Sequence, residues 1–222
     1  MQHPPFKAEA LTYLMQFLTE SRREKFLQVV AQRTTYLVPV VECLIDEQNV
    51  NAVIRSSENF GLQRICVIET DAKMKAARSI SKGSHHWLDI EKYKRDRAAD
   101  CIARLKQEGY KIFAASPHEG GFTPSNIPLD KKLAVVFGAE GPGISPQMTS
   151  ACDGFLQIPM YGFTESYNIS VAAAIALYTI TEGVKQSAVA WQLTQEEQQK
   201  LLWRWTCRTI REAEKLLQRF PG

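Results

Sequence analysis

The chain changes its hydrophobic rhythm twice. Over residues 1 to 34 apolar positions recur at helical spacing. Leu11, Leu14, Met15 and Leu18 share one face of a first predicted helix, and Phe26, Leu27, Val29 and Val30 form the apolar side of a second. The run Ser21-Arg22-Arg23-Glu24 reads as a capping box opening that second helix. From Tyr36 the pattern turns to short continuous apolar runs: LVPVVECLI at 37–45, RICVIE at 64–69, LDIEKY at 88–93, KIFAAS at 111–116, LAVVFG at 133–138 and FLQI at 155–158. Each reads as a strand, with Pro39 pointing to an edge or a bulge in the first. Helical patterns lie between them, one at 49–60 closed by Gly61, one ending at Gly109, and one opened by Ser145-Pro146 as N-cap and first-turn proline. Strands alternating with helices predict an α/β fold with a mainly parallel sheet. The expected division is a helical extension over 1–34, a core over 35–183 and a second helical extension over 184–222.

The last strand leads into the most informative stretch. Pro159 removes a backbone donor and ends the run, a polar loop follows from Tyr161 to Asn168, and an alanine-rich helix follows that, with Ser170 as its expected N-cap. The helix face Val171, Ala172, Ala174, Ile175 is small enough for another backbone to approach. Loops at the C-terminal ends of parallel strands are where α/β sheets hold ligands. The tail then carries a capping box, Thr194 to Glu197, and one long predicted helix with Leu201, Leu202, Trp205, Ala213, Leu216, Leu217 and Phe220 to one side. Lys200, Arg204, Arg208, Arg211, Lys215 and Arg219 would stack in one stripe, which favours phosphate contact over a merely solvated face. Trp191, Trp203 and Trp205 read as packing residues rather than stacking platforms.

Composition narrows the class. An apolar fraction of 45% and a charged fraction of 23% are those of a soluble globular chain, with a mild net charge of +3. No apolar run reaches the ~20 residues of a membrane span, and no leader pattern opens the chain, so a cytoplasmic protein is expected. The five cysteines show no C-x-x-C spacing, and His85-His86 has no accompanying ligand pattern, so no metal site and no disulfide framework are expected. Three loops carry candidate chemistry. QNVNAVIR sets Asn49 and Arg55 six residues apart. GAEGPGIS, Gly138 to Ser145, lacks the Lys-Ser/Thr of a phosphate loop and is not G-x-G-x-x-G. Its Glu140 suits a structural cap or a chemical role equally. The third loop carries Glu165, Ser166, Tyr167 and Asn168. Each loop is weak alone.

Taken in order, QNVNAVIRSSENFG, VVFGAEGPGIS and IPMYGFTESYNISVAAA resemble the three motifs of the SpoU branch of the SPOUT RNA methyltransferases, over about residues 36 to 183. The resemblance implies an α/β domain whose C-terminal part is tied in a deep trefoil knot, which neither composition nor periodicity indicates. It implies a homodimer that uses S-adenosylmethionine, without a metal, to methylate a ribose 2′-hydroxyl in RNA. The cofactor positions carry over to Ala115, Gly138, Ile158, Met160 and Tyr167. The catalytic positions carry over to Arg55, Asn49, Glu140, Ser166 and Asn168. Arg55 would serve as the base or, since arginine holds its proton, as the group that orients the ribose and stabilises developing charge. An N-terminal segment of about 34 helical residues is too short for an L30-type RNA domain, so none is expected here. A compact core with helices at both ends resembles the members that methylate guanosine 18 in the tRNA D-loop, with Lys200, Arg204, Arg208, Arg211 and Lys215 adding RNA contacts. Ribosomal RNA, the tRNA wobble position and a silent RNA-binding homologue are the alternatives. A dehydrogenase-like enzyme fits poorly without G-x-G-x-x-G.

Overall fold

The computed structural model describes residues 4–42, 46–69, 83–139 and 141–220. They group into two compact units, Thr34–Trp191 and the two chain ends, Met1–Arg33 with Gln192–Gly222.

The core unit is built on a six-stranded sheet of β1 (Leu37–Glu42), β2 (Arg64–Ile68), β3 (Asp89–Tyr93), β4 (Lys111–Ala115), β5 (Leu133–Phe137) and β6 (Gly154–Leu156). The order is β3-β2-β1-β5-β4-β6, and every pairing is parallel. Alternation along the strands divides the core into two layers. Leu37, Val41, Ile65, Val67, Leu133, Val135 and Phe137 cluster with α3 (Glu47–Asn59) and α6 (Ile169–Gln186). Val38, Val40, Cys66, Ile68, Ala134 and Val136 cluster with α4 (Ala98–Gln107) and Met148 of α5 (Pro146–Ser150). Burial on both faces is why the central strands read as unbroken apolar runs.

Pro39 is not at an edge: β1 lies between β2 and β5. The Leu133 N–H donates to the Tyr36 carbonyl, so alternate residues from Tyr36 bond to β5 and Pro39 turns its backbone toward β2. The ladder to β2 begins only at Val40, so no partner waits for the donor that proline lacks. At the other end of β2, Arg64 is buried and bonded to both Glu91 of β3 and Glu108 after α4.

The terminal unit contains α1 (Ala8–Met15), α2 (Glu20–Val30), α7 (Gln195–Thr209) and α8 (Ala213–Gln218). Its core is aromatic. Trp203 is buried, meets Phe6 edge-on at 6.0 Å and donates from Nε1 to the Pro4 carbonyl at 3.0 Å. Trp205 packs on Phe26 at 5.5 Å and lies under the Arg33 guanidinium. Two expectations change here. The Ser21–Glu24 box is not formed, because α2 starts earlier and Thr19 caps it, accepting from the Arg22 N–H. The single tail helix is two. Thr209 Oγ donates back to the Trp205 carbonyl at 2.8 Å, competing with the helix ladder, and Ile210 turns extended at ψ 116°. The Thr194–Glu197 capping box is formed.

Candidate functional site

A cavity of about 500 Å³ opens at the C-terminal ends of β4, β5 and β6. That edge collects three loops: the one after β4 (Ser116, His118, Glu119), the glycine loop after β5 (Gly138, Ala139, Gly141 to Ile144), and the stretch after β6 (Ile158, Met160, Glu165 to Tyr167). All five residues expected to hold a cofactor, Ala115, Gly138, Ile158, Met160 and Tyr167, line this one cavity, and so does Ser166. The volume is in the usual range for a small-molecule site.

The glycine loop is folded tightly back on itself. Ala139 and Gly143 exchange backbone hydrogen bonds at 3.1 and 2.9 Å. A Cβ on Gly138 would fall 2.3 Å from the Gly143 carbonyl carbon and 2.4 Å from the Ile144 nitrogen, so only glycine fits there. Past the loop, Ser145 caps α5, accepting from the Met148 N–H at 3.3 Å. Both donors of Ser145 go to one buried carboxylate: Oγ–H to Glu42 Oε1 at 2.6 Å and N–H to Glu42 Oε2 at 2.9 Å. The loop after β4 is held in turn by Gln157, which donates from Nε2 to the Pro117 carbonyl at 2.8 Å, and by Ser116, whose Oγ accepts from the backbone of His118 and Glu119.

Beside the cavity, the first and third motifs meet. Asn168 Nδ2 donates to Asn49 Oδ1 at 3.2 Å. Asn168 Oδ1 also accepts from the Ser170 N–H at 2.9 Å, so Asn168, not Ser170, is the N-cap of α6. The capping rule favours either residue, and Ser170 loses because it already lies in the helix and donates its own hydroxyl to Asn168 at 2.6 Å. Arg55 does not join this pair. Six residues along α3 carry it about 9 Å up the axis and about 120° round from Asn49. It is exposed, and its guanidinium makes no hydrogen bond or ion pair among the described residues. Glu140 lies outside the described residues.

The small face expected to pack α6 is also redrawn. The buried face is Ala173, Ala176, Leu177 and Ile180, whereas Val171, Ile175 and Tyr178 are 46%, 37% and 54% exposed. Tyr161 and Phe163 are fully exposed. In the terminal unit the expected stripe of cations is broken by the turn at Ile210: Lys200, Arg204 and Arg208 are on α7, Arg211 lies in the turn, and Lys215 is on α8. Lys200 pairs with Glu196 and Lys215 with Glu212.

Residues 37–178 match the model of the SpoU rRNA Methylase family. The chain belongs to that family. Among relatives, a Borreliella burgdorferi protein named tRNA (guanosine(18)-2′-O)-methyltransferase is 37% identical over 188 residues, 85% of each chain. The Aquifex aeolicus TrmH/SpoU tRNA modifying enzyme superposes with a TM-score of 0.77 at 27% identity, covering 86% of this chain and 98% of its own. AviRb of Streptomyces viridochromogenes, a SpoU methyltransferase solved in complex with the cofactor AdoMet, shares the fold at a TM-score of 0.61 and 19% identity, over 72% of this chain and 62% of its own. In this SpoU member the matched segment spans the sheet, the cavity and both asparagines, and the terminal helices lie outside it. Sequence reasoning passed over Glu42 and over Ser116, His118 and Glu119. The signal for the latter three was the same strand-end rule that marked the other two loops. For Glu42 it was a lone carboxylate closing an apolar strand.

Proposed function

We propose that this SpoU family member methylates the 2′-hydroxyl of guanosine 18 in the D-loop of tRNA, using S-adenosylmethionine. The observation that carries the chemistry is the single cavity that gathers Ala115, Gly138, Ile158, Met160, Ser166 and Tyr167 from three loops. Relatives named for guanosine 18 supply the nucleotide.

The lining suits the cofactor. Gly138 leaves a cradle that any side chain would fill, and the loops after β4, β5 and β6 all line the space, where their amide and carbonyl groups can satisfy an adenine ring and a ribose. When bound, S-adenosylmethionine supplies an electrophilic methyl on a sulfonium. The protein's own work is placement, because displacement at a methyl group gains most from alignment. Asn168 fixes the start of α6 and, through Asn49, its seat on α3. Ser166 stands at the cavity and can accept a hydrogen bond from a ribose hydroxyl or donate one to a phosphate oxygen. Arg55 serves either as a neutral guanidine that takes the proton of the hydroxyl, or as a charged fork that holds the ribose and its developing negative charge. Glu140 completes the proposed set.

Two features support a homodimer with the site at its interface. Val171, Ile175 and Tyr178 form an apolar stripe on α6 that the chain itself does not cover, and Arg55 stands away from the asparagine pair in its own chain. Family membership supports the trefoil knot, formed by the segments that bound the cavity. On this reading the core is the methyltransferase domain, about 35–183, and the helical ends are the tRNA-binding extensions. The charge distribution agrees: the terminal unit holds eleven of the 27 Lys and Arg but seven of the 24 Asp and Glu, which leaves the core one acid in excess. Work on tRNA puts the protein in the cytoplasm.

Methyl transfer from labelled S-adenosylmethionine to a full tRNA transcript, and to one carrying 2′-deoxyguanosine at position 18, tests the proposal. Label on the first alone supports it. Equal label on both moves the site elsewhere in tRNA. No label on either refutes the tRNA reading and turns attention to ribosomal RNA or a silent binder.

A further inference from the structure

We infer that Glu42 is a positioning residue of the cofactor site, acting through Ser145 to hold the glycine loop closed against the cavity; this rests on the cofactor reading above. Glu42 ends β1 and is 4% exposed. It does not line the cavity, so it cannot touch a ligand there. Its two oxygens take the two donors of Ser145, at 2.6 and 2.9 Å, and no cation among the described residues pairs with it. A buried carboxylate without a counter-ion is costly unless its bonds are geometrically tight and charge-assisted. Here both fall on one residue, 103 positions along the chain, at the point where the loop turns into α5.

The placement of that residue gives the bond its consequence. Ser145 closes a loop pinned at three points. Gly138 lies directly beneath Gly143 and Ile144, Ala139 pairs with Gly143, and Ser145 is tied to β1. The first two pins are internal to the loop and would travel with it if it swung outward. Glu42 is the pin that reaches a different strand. Since β1 is central in the sheet and pairs with both β2 and β5, the carboxylate is attached to a strand hydrogen-bonded on both sides. The Ser145 hydroxyl does two things at once: it donates to Glu42 and accepts from Met148, so the same contact orients α5, whose Thr149 also lines the cavity. The wall made by Gly138, Ala139 and Gly141 to Ile144 thus keeps its position relative to the opposite wall, Ile158 and Met160, through one carboxylate.

The test compares Glu42→Ala, Glu42→Gln and Ser145→Ala in the full chain, by three measurements. These are amide hydrogen exchange over Gly141 to Ser145 in the ligand-free protein, calorimetric affinity for S-adenosylhomocysteine, and tRNA binding. Glutamine can keep both links, its oxygen taking the Ser145 N–H and its amide donating to the Ser145 hydroxyl. Glu42→Ala is expected to speed exchange in the loop about tenfold or more, leave the β1 and β5 amides unchanged and weaken S-adenosylhomocysteine about tenfold, with tRNA affinity unaltered. Glu42→Gln is expected to stay within about threefold of the parent protein, and Ser145→Ala to fall between. Wild-type exchange and affinity in folded Glu42→Ala would overturn the inference, as would a uniform rise in exchange across the sheet. If Glu42→Ala does not fold, Ser145→Ala against Glu42→Gln decides on the same readouts. If the parent protein takes up no S-adenosylhomocysteine, the cofactor reading fails, and the exchange arm still decides whether Glu42 holds the loop.

Discussion

Gly138→Ala should empty the cofactor site while leaving the fold standing. A Cβ at this position lies 2.3 to 2.5 Å from Gly143 and Ile144 backbone atoms, where ordinary contacts begin at 3.4 Å. The opposing backbone must therefore retreat by about 1 Å, and no flexible side chain can give way instead. That movement breaks or stretches the two bonds between Ala139 and Gly143, worth about 1 kcal/mol each, and adds an overpacking strain of roughly 1–3 kcal/mol. A loss of about 3 kcal/mol in the closed loop corresponds to about a hundredfold in cofactor affinity if only the closed loop binds. The cost is local, since β5 ends at Phe137 and the sheet ladder stops before the loop, so the sheet should persist while the melting temperature falls by at most roughly 6–12 °C. Gly141→Ala is the control. Gly141 has φ +85° with nothing within 4 Å, so alanine meets backbone strain of about 1 kcal/mol but no collision, and affinity should fall no more than about fivefold. Calorimetry with S-adenosylhomocysteine and a melting curve read both variants. Gly138→Ala binding within threefold of the parent protein would refute the claim that this cradle holds the cofactor.

Three further outcomes follow from the same geometry. Arg55→Lys should keep tRNA affinity yet lower turnover about a hundredfold or more, because the planar fork is lost and the charge is not; near-normal turnover would remove Arg55 from both proposed roles. Ile175→Glu, on the exposed stripe of α6, should convert the proposed dimer to a monomer in sedimentation and abolish turnover with it, since an unpaired carboxylate would have to be buried; a persistent dimer would move the interface elsewhere. Burial pushes the Glu108 carboxyl up, but hydrogen bonds and charge from Arg64 and Arg104 outweigh it, and the net value lies below the ordinary one. Its contribution to stability is therefore complete above the usual carboxylate range and lost as pH falls through the lowered value. Glu108→Gln should be less stable than the parent at pH 7 by urea melting, with the gap narrowing as pH falls below the usual carboxylate range, and a gap independent of pH would refute this.

The sheet was legible because its central strands are buried on both faces. Continuous runs such as LAVVF need no partner information to be read, and β2 to β6 each end within a residue or two of the expected limit, while residues 43–45 of the first expected run lie outside the described residues. What failed depended on competition between near neighbours or on distant partners. Asn168 and Ser170 are both good caps, and the choice is made by Asn49, 119 residues away. Pro39 argued for an edge because the sequence cannot tell that the ladder to β2 starts one residue later. The tail looked like one helix because its apolar period survives the break, whereas α7 stops where Ile210 turns extended. Glu42 carried no local signal of its partner, since a carboxylate after an apolar strand most often meets solvent.

The division between the matched and unmatched parts of the chain bears on where specificity resides. The family segment ends at residue 178 and holds the whole cavity, in a unit of near-balanced charge. The excess positive charge lies in helices outside that segment. Their tryptophans are spent on packing, as the burial of Trp203 and Trp205 shows, which leaves cations rather than aromatic rings for nucleic acid. Contacts of that kind recognise the shape and phosphate path of a folded RNA instead of its bases. On the proposed function, the terminal unit therefore selects the tRNA body, and the choice of one ribose falls to the reach of the core site from that docked position.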